Sequence, residues 1–211
     1  MDLLRYKTDL KIFIRILLGS YLLLYFNLTF PNPLNDIDLM DKNGLYNFFV
    51  EIPAGTKEKW EVNKSSGLLE LEKRDNGEKR IIKFLPYPGN YGFLPQTLAG
   101  DGDAIDVIDL ESFVKRGNIS KIHIIGGMYF KDKKEDDVKL IGIDPNGVFK
   151  DIKNIDQLLL IKPDALEILR AWFKSYKNPG KMVFYKYLNK NESEEIIEEG
   201  HKKWKSLLNK K

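Results

Sequence analysis

Between Leu45 and Ile143 the apolar residues come only in short runs, each cut off by glycine, proline or polar turn residues. Runs of that length do not sustain helices, so they predict strands joined by turns. Phe48–Ile52 is one, stopped by Pro53 and Gly55, and Lys59–Asn63 is another, turning through Lys64–Gly67. Leu68–Glu72 and Arg80–Phe84 flank Asn76-Gly77, a pair that accepts the positive φ of a hairpin turn. Pro86, Pro88, Gly89 and Gly92 read as a loop, and Ala104–Leu110, Lys121–Phe130 and Lys139–Ile143 as further strands. Many short strands separated by turns predict a small closed barrel.

Beyond Ile143 the period changes. Pro163 suits a first helical turn, and Ala165, Leu169, Trp172 and Tyr176 follow at helical spacing with Leu166 and Phe173 beside them. A second helix is predicted from Glu192 to Leu208, with Asn191 and Glu194 as its capping box and Ile196, Ile197, Trp204, Leu207 and Leu208 as its apolar stripe. The 211 residues, 43% of them hydrophobic, suffice for one mainly β, α+β domain.

The N-terminus is different in kind. Arg5, Lys7, Lys11 and Arg15 precede an uncharged stretch from Ile16 to Asn35, and Asp36, Asp38 and Asp41 follow. A basic flank before an apolar run is the pattern of a targeting or anchoring segment, with membrane attachment through residues 12–30. Pro31 and Pro33 begin a linker. Residues 1–35 are thus expected to be separate from a catalytic domain over 45–211.

Thirty-four basic and 31 acidic residues nearly cancel, which argues against general nucleic-acid binding. There is no cysteine, which excludes disulfides and thiolate sites, and two histidines, His123 and His201, cannot build a multi-histidine metal site. A metal would be held by carboxylates, which points to magnesium or manganese. The informative stretch is Gly100-Asp101-Gly102-Asp103-Ala104-Ile105-Asp106-Val107, whose three aspartates a turn can bring together. An EF-hand is ruled out: Asp106 stands where that loop needs glycine and Ser112 where it needs glutamate. A solvated acidic turn remains the competing reading of this stretch alone. The acidic run Asp132–Lys139, the loop Tyr87-Pro88-Gly89-Asn90-Tyr91-Gly92, and Glu51 with Lys59-Trp60-Glu61 are further candidates. The runner-up is a barrel that binds oligonucleotides, and a third reading is a phosphohydrolase for another phosphoanhydride.

Taken in order, EIPAG, KWE, GEKR, YPGNYGF, DGDAIDV, DKKEDDVK and SYK resemble the soluble (family I) inorganic pyrophosphatases from Leu45 to Leu208. The resemblance implies a small closed OB-like five-stranded β-barrel with extra hairpins and two α-helices in the C-terminal half. It implies magnesium-dependent hydrolysis of pyrophosphate, with manganese or other divalent cations as substitutes. Asp103 would be the general base. Asp101, Asp106, Asp132 and Asp137 would ligate metal, and Glu51 and Glu61 would hold it through water. Lys59, Arg80, Tyr91, Lys139, Tyr176 and Lys177 would grip phosphate, with Tyr87, Lys181 and Asp136 as weaker candidates. Lys73 and Arg74 compete with Arg80 for the arginine role, and Ala104 stands where the family commonly has proline. Relatives form hexamers or dimers and are usually cytoplasmic, while the N-terminal segment points to anchoring or export. No nucleic-acid partner is implied.

Overall fold

A computed structural model of the protein describes residues 31–133, 135–177 and 180–209. The hydrophobic segment expected within residues 1–30 lies outside them. Among the described residues no helix is long and apolar enough to cross a membrane.

Among the described residues, eight strands and three helices follow in the order β1 (Tyr46–Ile52), β2 (Trp60–Val62), β3 (Leu69–Leu71), β4 (Asn90–Phe93), β5 (Asp106–Asp109), β6 (Ile119–Asp132), β7 (Glu135–Ile143), α1 (Ile155–Ile161), α2 (Pro163–Ser175), β8 (Met182–Leu188) and α3 (Lys190–Leu208). Six strands form one sheet in the order β1-β4-β5-β7-β6-β8, and β6 also pairs with β1. The β5–β7 pairing is parallel; β2 and β3 pair antiparallel as a separate ribbon. The five-stranded barrel expectation therefore resolves into a six-stranded sheet in which β6 returns to β1, with β8 added beside β6.

The long strand β6 serves β1 through Ile119–Ile122 and β7 and β8 through its later residues. It changes register between Ile124 and Gly126, where φ is +155°. A Cβ there would stand 2.6 Å from the Leu188 carbonyl, so glycine is what lets β6 bend under β8. Gly92 plays the same part between β1 and β4, since its Cβ would fall 1.9 Å from the Phe49 carbonyl.

Three apolar clusters fill the interior, the smallest of them Phe49, Val62 and Phe93. Met128, Phe130 and Ile141 pack against Leu166, Leu169, Trp172 and Phe173 of α2. Phe48, Val50, Val107, Ile122 and Leu140 pack against Ile197 of α3. Each such fully buried side chain contributes about 1.5–3 kcal/mol relative to exposure. Together they fix the sheet as a rigid base for its edges and loops.

Several elements differ from the sequence expectation, each for a physical reason. The Pro/Gly loop contains β4, whose four residues are all buried, because Gly92 is small enough for close strand approach. Arg80–Phe84 forms one isolated bridge, Glu58–Ile81, and no continuous strand, with a second bridge, Lys73–Lys79, just before it. Three helices replace two: α1 buries only Ile155 and Leu158, too sparse a pattern to show a period. The capping box of α3 is Asn189 with Glu192, one turn-fraction earlier than Asn191 with Glu194. Its buried face is Ser193, Ile197 and Gly200, while Leu207 and Leu208 are exposed. Residues expected to be linker dock on the body: Gln96 N donates to the Leu34 carbonyl, and Trp204 Nε1 donates to Asn35 Oδ1 at 2.9 Å.

Candidate active site

The signature loop is ordered by its own backbone. Asp101 Oδ1 accepts from Asp103 N at 3.0 Å, the Asp103 carbonyl accepts from Ala99 N, and Gly102 takes φ of +83° at the turn. The Asp103 carboxylate is thereby left largely exposed and meets Lys64 from the β2–β3 turn. Asp106 opens β5, and the parallel ladder sets it opposite Lys139 on β7.

Asp137 and Lys139 are two residues apart on β7 and so share a face. The Lys139 ammonium, only 4% exposed, pairs with both Asp106 and Asp137. Burial opposes its charge, but the Asp106 and Asp137 carboxylates outweigh burial and hold its pKa above the ordinary lysine value. For Asp137 the balance goes the other way: desolvation exceeds the pull of Lys139 and raises its pKa. Asp136, on the opposite face, is an exposed carboxylate that accepts from the Tyr129 hydroxyl and pairs with Lys131.

β1 supplies Glu51 at its end. It is 6% exposed, accepts from Val62 N at 2.7 Å, and burial pushes its carboxyl up to about 8. Lys59 precedes β2 and reaches Glu61 at 3.4 Å and Glu72 at 3.6 Å. Arg80 also pairs with Glu72. Burial works against the Arg80 charge, and the Glu72 hydrogen bond overcomes it, so the guanidinium pKa is raised.

The end of α2 closes the opposite side. The Trp172 ring stacks on Tyr176 at 4.7 Å, and Trp172 Nε1 donates to the Leu85 carbonyl, so Tyr176 is held by a fixed aromatic plate. Lys177 Nζ donates to Asp132 Oδ2 at 2.5 Å. Lys139 lies 5.7 Å from the centre of the Tyr91 ring, whose hydroxyl burial keeps neutral by raising its pKa.

One cavity of about 830 Å³ gathers these groups. The acids Glu51, Glu61, Asp101, Asp103, Asp106, Asp132, Asp136 and Asp137 line it, as do Lys59, Arg80, Tyr91, Lys139, Tyr176 and Lys177. Tyr87 does not line it; it is 2% exposed and packs its ring on Trp172 at 4.4 Å. Lys181, Lys73 and Arg74 border a neighbouring cleft. Among the described residues no three acids stand close enough to cage a cation, although the sequence spacing allowed the signature aspartates to converge. Asp103, Asp106, Asp132 and Asp137 each pair with a lysine, which offsets their mutual repulsion.

Sequence reasoning missed Lys64 and Glu135 in this lining, and Glu72, which borders the neighbouring cleft and pairs with Lys59 and Arg80. Glu72 had a readable signal. Glu61 faces Glu70 across the β2–β3 ribbon, which puts Glu72 opposite Lys59 on the same face.

Comparisons with known proteins point to one family. The family described as inorganic pyrophosphatase matches residues 48–205. An inorganic pyrophosphatase of Ralstonia nicotianae is 33% identical, aligned over 74% of this chain and 85% of the relative. The mitochondrial inorganic pyrophosphatase of Saccharomyces cerevisiae is 30% identical, over 82% of this chain and 65% of the relative. The crystal structure of the type I inorganic pyrophosphatase from P. falciparum superposes with a TM-score of 0.77 at 28% identity, covering 84% of this chain and 64% of that one. The motif order, the fold and these matches lead to one conclusion: the chain belongs to the inorganic pyrophosphatase family.

Proposed function

We propose that this chain hydrolyses inorganic pyrophosphate to two orthophosphates in the cavity described above. One observation carries the reading: acids from β1, β2, the signature loop, β5, β6 and β7 share a single cavity with Lys59, Arg80, Lys139 and Lys177. A cavity lined with both signs of charge suits a small polyanion that brings or meets cations. An extended nucleic-acid backbone would be repelled by so many carboxylates.

Divalent cations are the cofactors the family resemblance implies, and the residues fit them. Asp132 Oδ1 is buried with no hydrogen-bond partner among the described residues, an expensive state for a carboxylate unless something else completes it. The donor set is all oxygen, which suits Mg²⁺ first and Mn²⁺ second. Asp101, Asp106, Asp132 and Asp137 would hold such ions directly, and Glu51 and Glu61 through water. When bound, the cations neutralise phosphate charge and acidify the attacking water.

The chain's own groups do the rest. Arg80 offers a planar fork to two phosphate oxygens, and Lys59, Lys139 and Lys177 act as point charges. Tyr91 and Tyr176 carry hydroxyls that donate to phosphate oxygens. Lys139 and Lys177 are held by carboxylates in the present state, so they exchange one anionic partner for another when substrate enters. Asp103 is exposed to the cavity and accepts the proton of the attacking water. Developing negative charge on the leaving phosphate is met by the fixed cations, so little reorganisation is needed.

In the same reading, residues 45–211 are the catalytic domain and residues 1–35 a targeting or anchoring segment with its linker. The chain assembles as a homo-oligomer, and its compartment follows from the fate of the N-terminal segment. The test of function is direct: purified protein releases phosphate from pyrophosphate when Mg²⁺ is present. A panel of nucleotides and other phosphate esters is cleaved far more slowly. Preference for one of those over pyrophosphate would overturn the substrate assignment.

A further inference from the structure

Lys59 and Glu61 reach the cavity from the β2–β3 ribbon, yet among the described residues no strand ladder joins that ribbon to the six-stranded sheet. Neighbouring residues of a strand point to opposite sides, so Trp60 turns its ring away from the cavity. No hydrogen bond fixes the ring: Trp60 Nε1 is buried with no partner among the described residues. Over it lies Arg116, whose guanidinium carbon stands 4.5 Å from the ring centre.

Arg116 reaches Trp60 from a turn bonded to β1. Asn118 N donates to the Lys115 carbonyl at 3.1 Å, and Gly117 between them takes φ of +80°, which glycine accepts without strain. Gly117 N donates to the Val50 carbonyl at 2.8 Å, and Val50 N donates to the Asn118 carbonyl at 2.9 Å. Arg116 Nε then donates to the Glu51 carbonyl at 3.1 Å. One side chain therefore touches β1 at Glu51 and β2 at Trp60. The Glu51 carboxylate crosses the same gap, accepting from Val62 N at 2.7 Å. Glu58, half exposed, lies 3.8 Å from the guanidinium.

We propose that Arg116 is a positioning residue for the reaction, a planar clamp between the Glu51 backbone and Trp60 that sets how far Lys59 and Glu61 stand from Glu51. This rests on the reading of the cavity given above. There Lys59 grips phosphate, and Glu51 and Glu61 hold cations through water, so all three serve binding. Asp103, which takes the proton, sits on a different loop. Loosening the clamp weakens the binding of pyrophosphate with its cations and leaves the chemical step in place. The shape of the guanidinium matters more than its charge. A planar group stacks on an indole while its edge donates to a carbonyl, and a lysine ammonium cannot do both.

The test is steady-state hydrolysis of pyrophosphate at fixed Mg²⁺ and ionic strength, with thermal unfolding as the check on folding. The proteins are wild type, Arg116→Ala, Arg116→Lys, Glu58→Gln, and Trp60→Leu alone and combined with Arg116→Ala. Arg116→Ala is expected to raise KM about fivefold with kcat within about twofold of wild type, and Arg116→Lys to show most of that rise. Glu58→Gln should change neither. Trp60→Leu should add less to Arg116→Ala than it does to wild type, because the two side chains act as one unit. Should Arg116→Ala not fold, Arg116→Lys carries the test. A wild-type KM in Arg116→Lys, or the same rise in Glu58→Gln, would reduce the role to charge and overturn the inference. So would a fall in kcat at constant KM, no change in either constant, or effects of Arg116→Ala and Trp60→Leu that simply add. Each of those outcomes leaves the catalytic reading standing. Wild type inert on pyrophosphate removes that reading and the inference with it.

Discussion

Lys177 donates to one oxygen of Asp132 and leaves the other, Oδ1, buried with no hydrogen-bond partner among the described residues. An unsatisfied buried acceptor costs about 1–3 kcal/mol. A bound divalent cation removes that cost and stabilises the fold by mass action, by about 2.7 kcal/mol at a hundred times its Kd. Thermal unfolding with and without Mg²⁺ checks this. Wild type should melt higher with Mg²⁺, and Asp132→Asn should show a clearly smaller rise. An equal rise in both proteins would remove Asp132 from the cation site.

Arg80 and Arg74 make a matched pair for testing the hairpin. Arg80 lines the catalytic cavity and pairs with Glu72, whereas Arg74 borders only the neighbouring cleft. Arg80→Ala is expected to lower kcat/KM for pyrophosphate by about tenfold to a hundredfold, in keeping with loss of a charge-assisted contact. Arg74→Ala is expected to change it by less than about threefold. Steady-state kinetics on the two variants decide, and the reverse order would place the phosphate-binding arginine at Arg74.

Asn90 is a structural hub. Its amide is fully buried; Oδ1 accepts from Ala54 N at 3.0 Å and Val114 N at 2.9 Å, and Nδ2 donates to the Ser112 carbonyl at 2.9 Å. It thus ties the turn after Glu51 to the segment after β5, and stands beside Tyr91. Asn90→Ala strands two buried N–H donors and a carbonyl, and should cost about 3 kcal/mol or more. Urea unfolding measures it; a loss below about 1 kcal/mol would show that water replaces the amide without difficulty.

Asp109, 1% exposed, is the clearest source of pH-dependent stability away from the cavity. Burial pushes its carboxyl up to about 7, despite hydrogen bonds from Asn90 and the Glu111 backbone. Because the folded value lies above the unfolded one, the protonated form favours the fold. Its contribution is therefore full below about pH 4 and is lost as pH rises to about 7, on the order of 4 kcal/mol at most. Asp109→Asn should flatten the fall in urea midpoint between pH 4 and pH 8 relative to wild type. Glu51 produces a similar slope in both proteins, so the difference between them isolates Asp109. Parallel curves would mean that Asp109 ionises freely in the fold.

The parts of this molecule that were legible in its sequence are those where chemistry demands particular side chains at short range. Asp101, Asp103 and Asp106, then Asp132, Asp137 and Lys139, then Tyr176 and Lys177 each stand out on one contiguous segment, and all of them line the cavity. What stayed hidden depends on contacts distant in sequence. β4 lies within proline and glycine because close approach to Phe49 overrides the local turn signal. The salt bridge between Arg80 and Glu72 follows from hairpin register, which local pattern does not set. Tyr87 lies in the same loop as Tyr91, yet it turns inward to Trp172 while Tyr91 reaches the cavity. The α3 cap slipped from Asn189 to Asn191 because both asparagines have an acid three residues on, and only the chain path out of β8 selects between them.

The central claim is that Asp103 takes a proton from water in a cation-dependent attack on pyrophosphate. Phosphate release by wild type and by Asp103→Asn, each with and without Mg²⁺, measures it most directly. Wild type should turn over only with Mg²⁺, and the folded variant should lose about a hundredfold or more of that rate, as general-base catalysis contributes. A folded Asp103→Asn that keeps the wild-type rate, or a wild type equally fast after chelation, would contradict it.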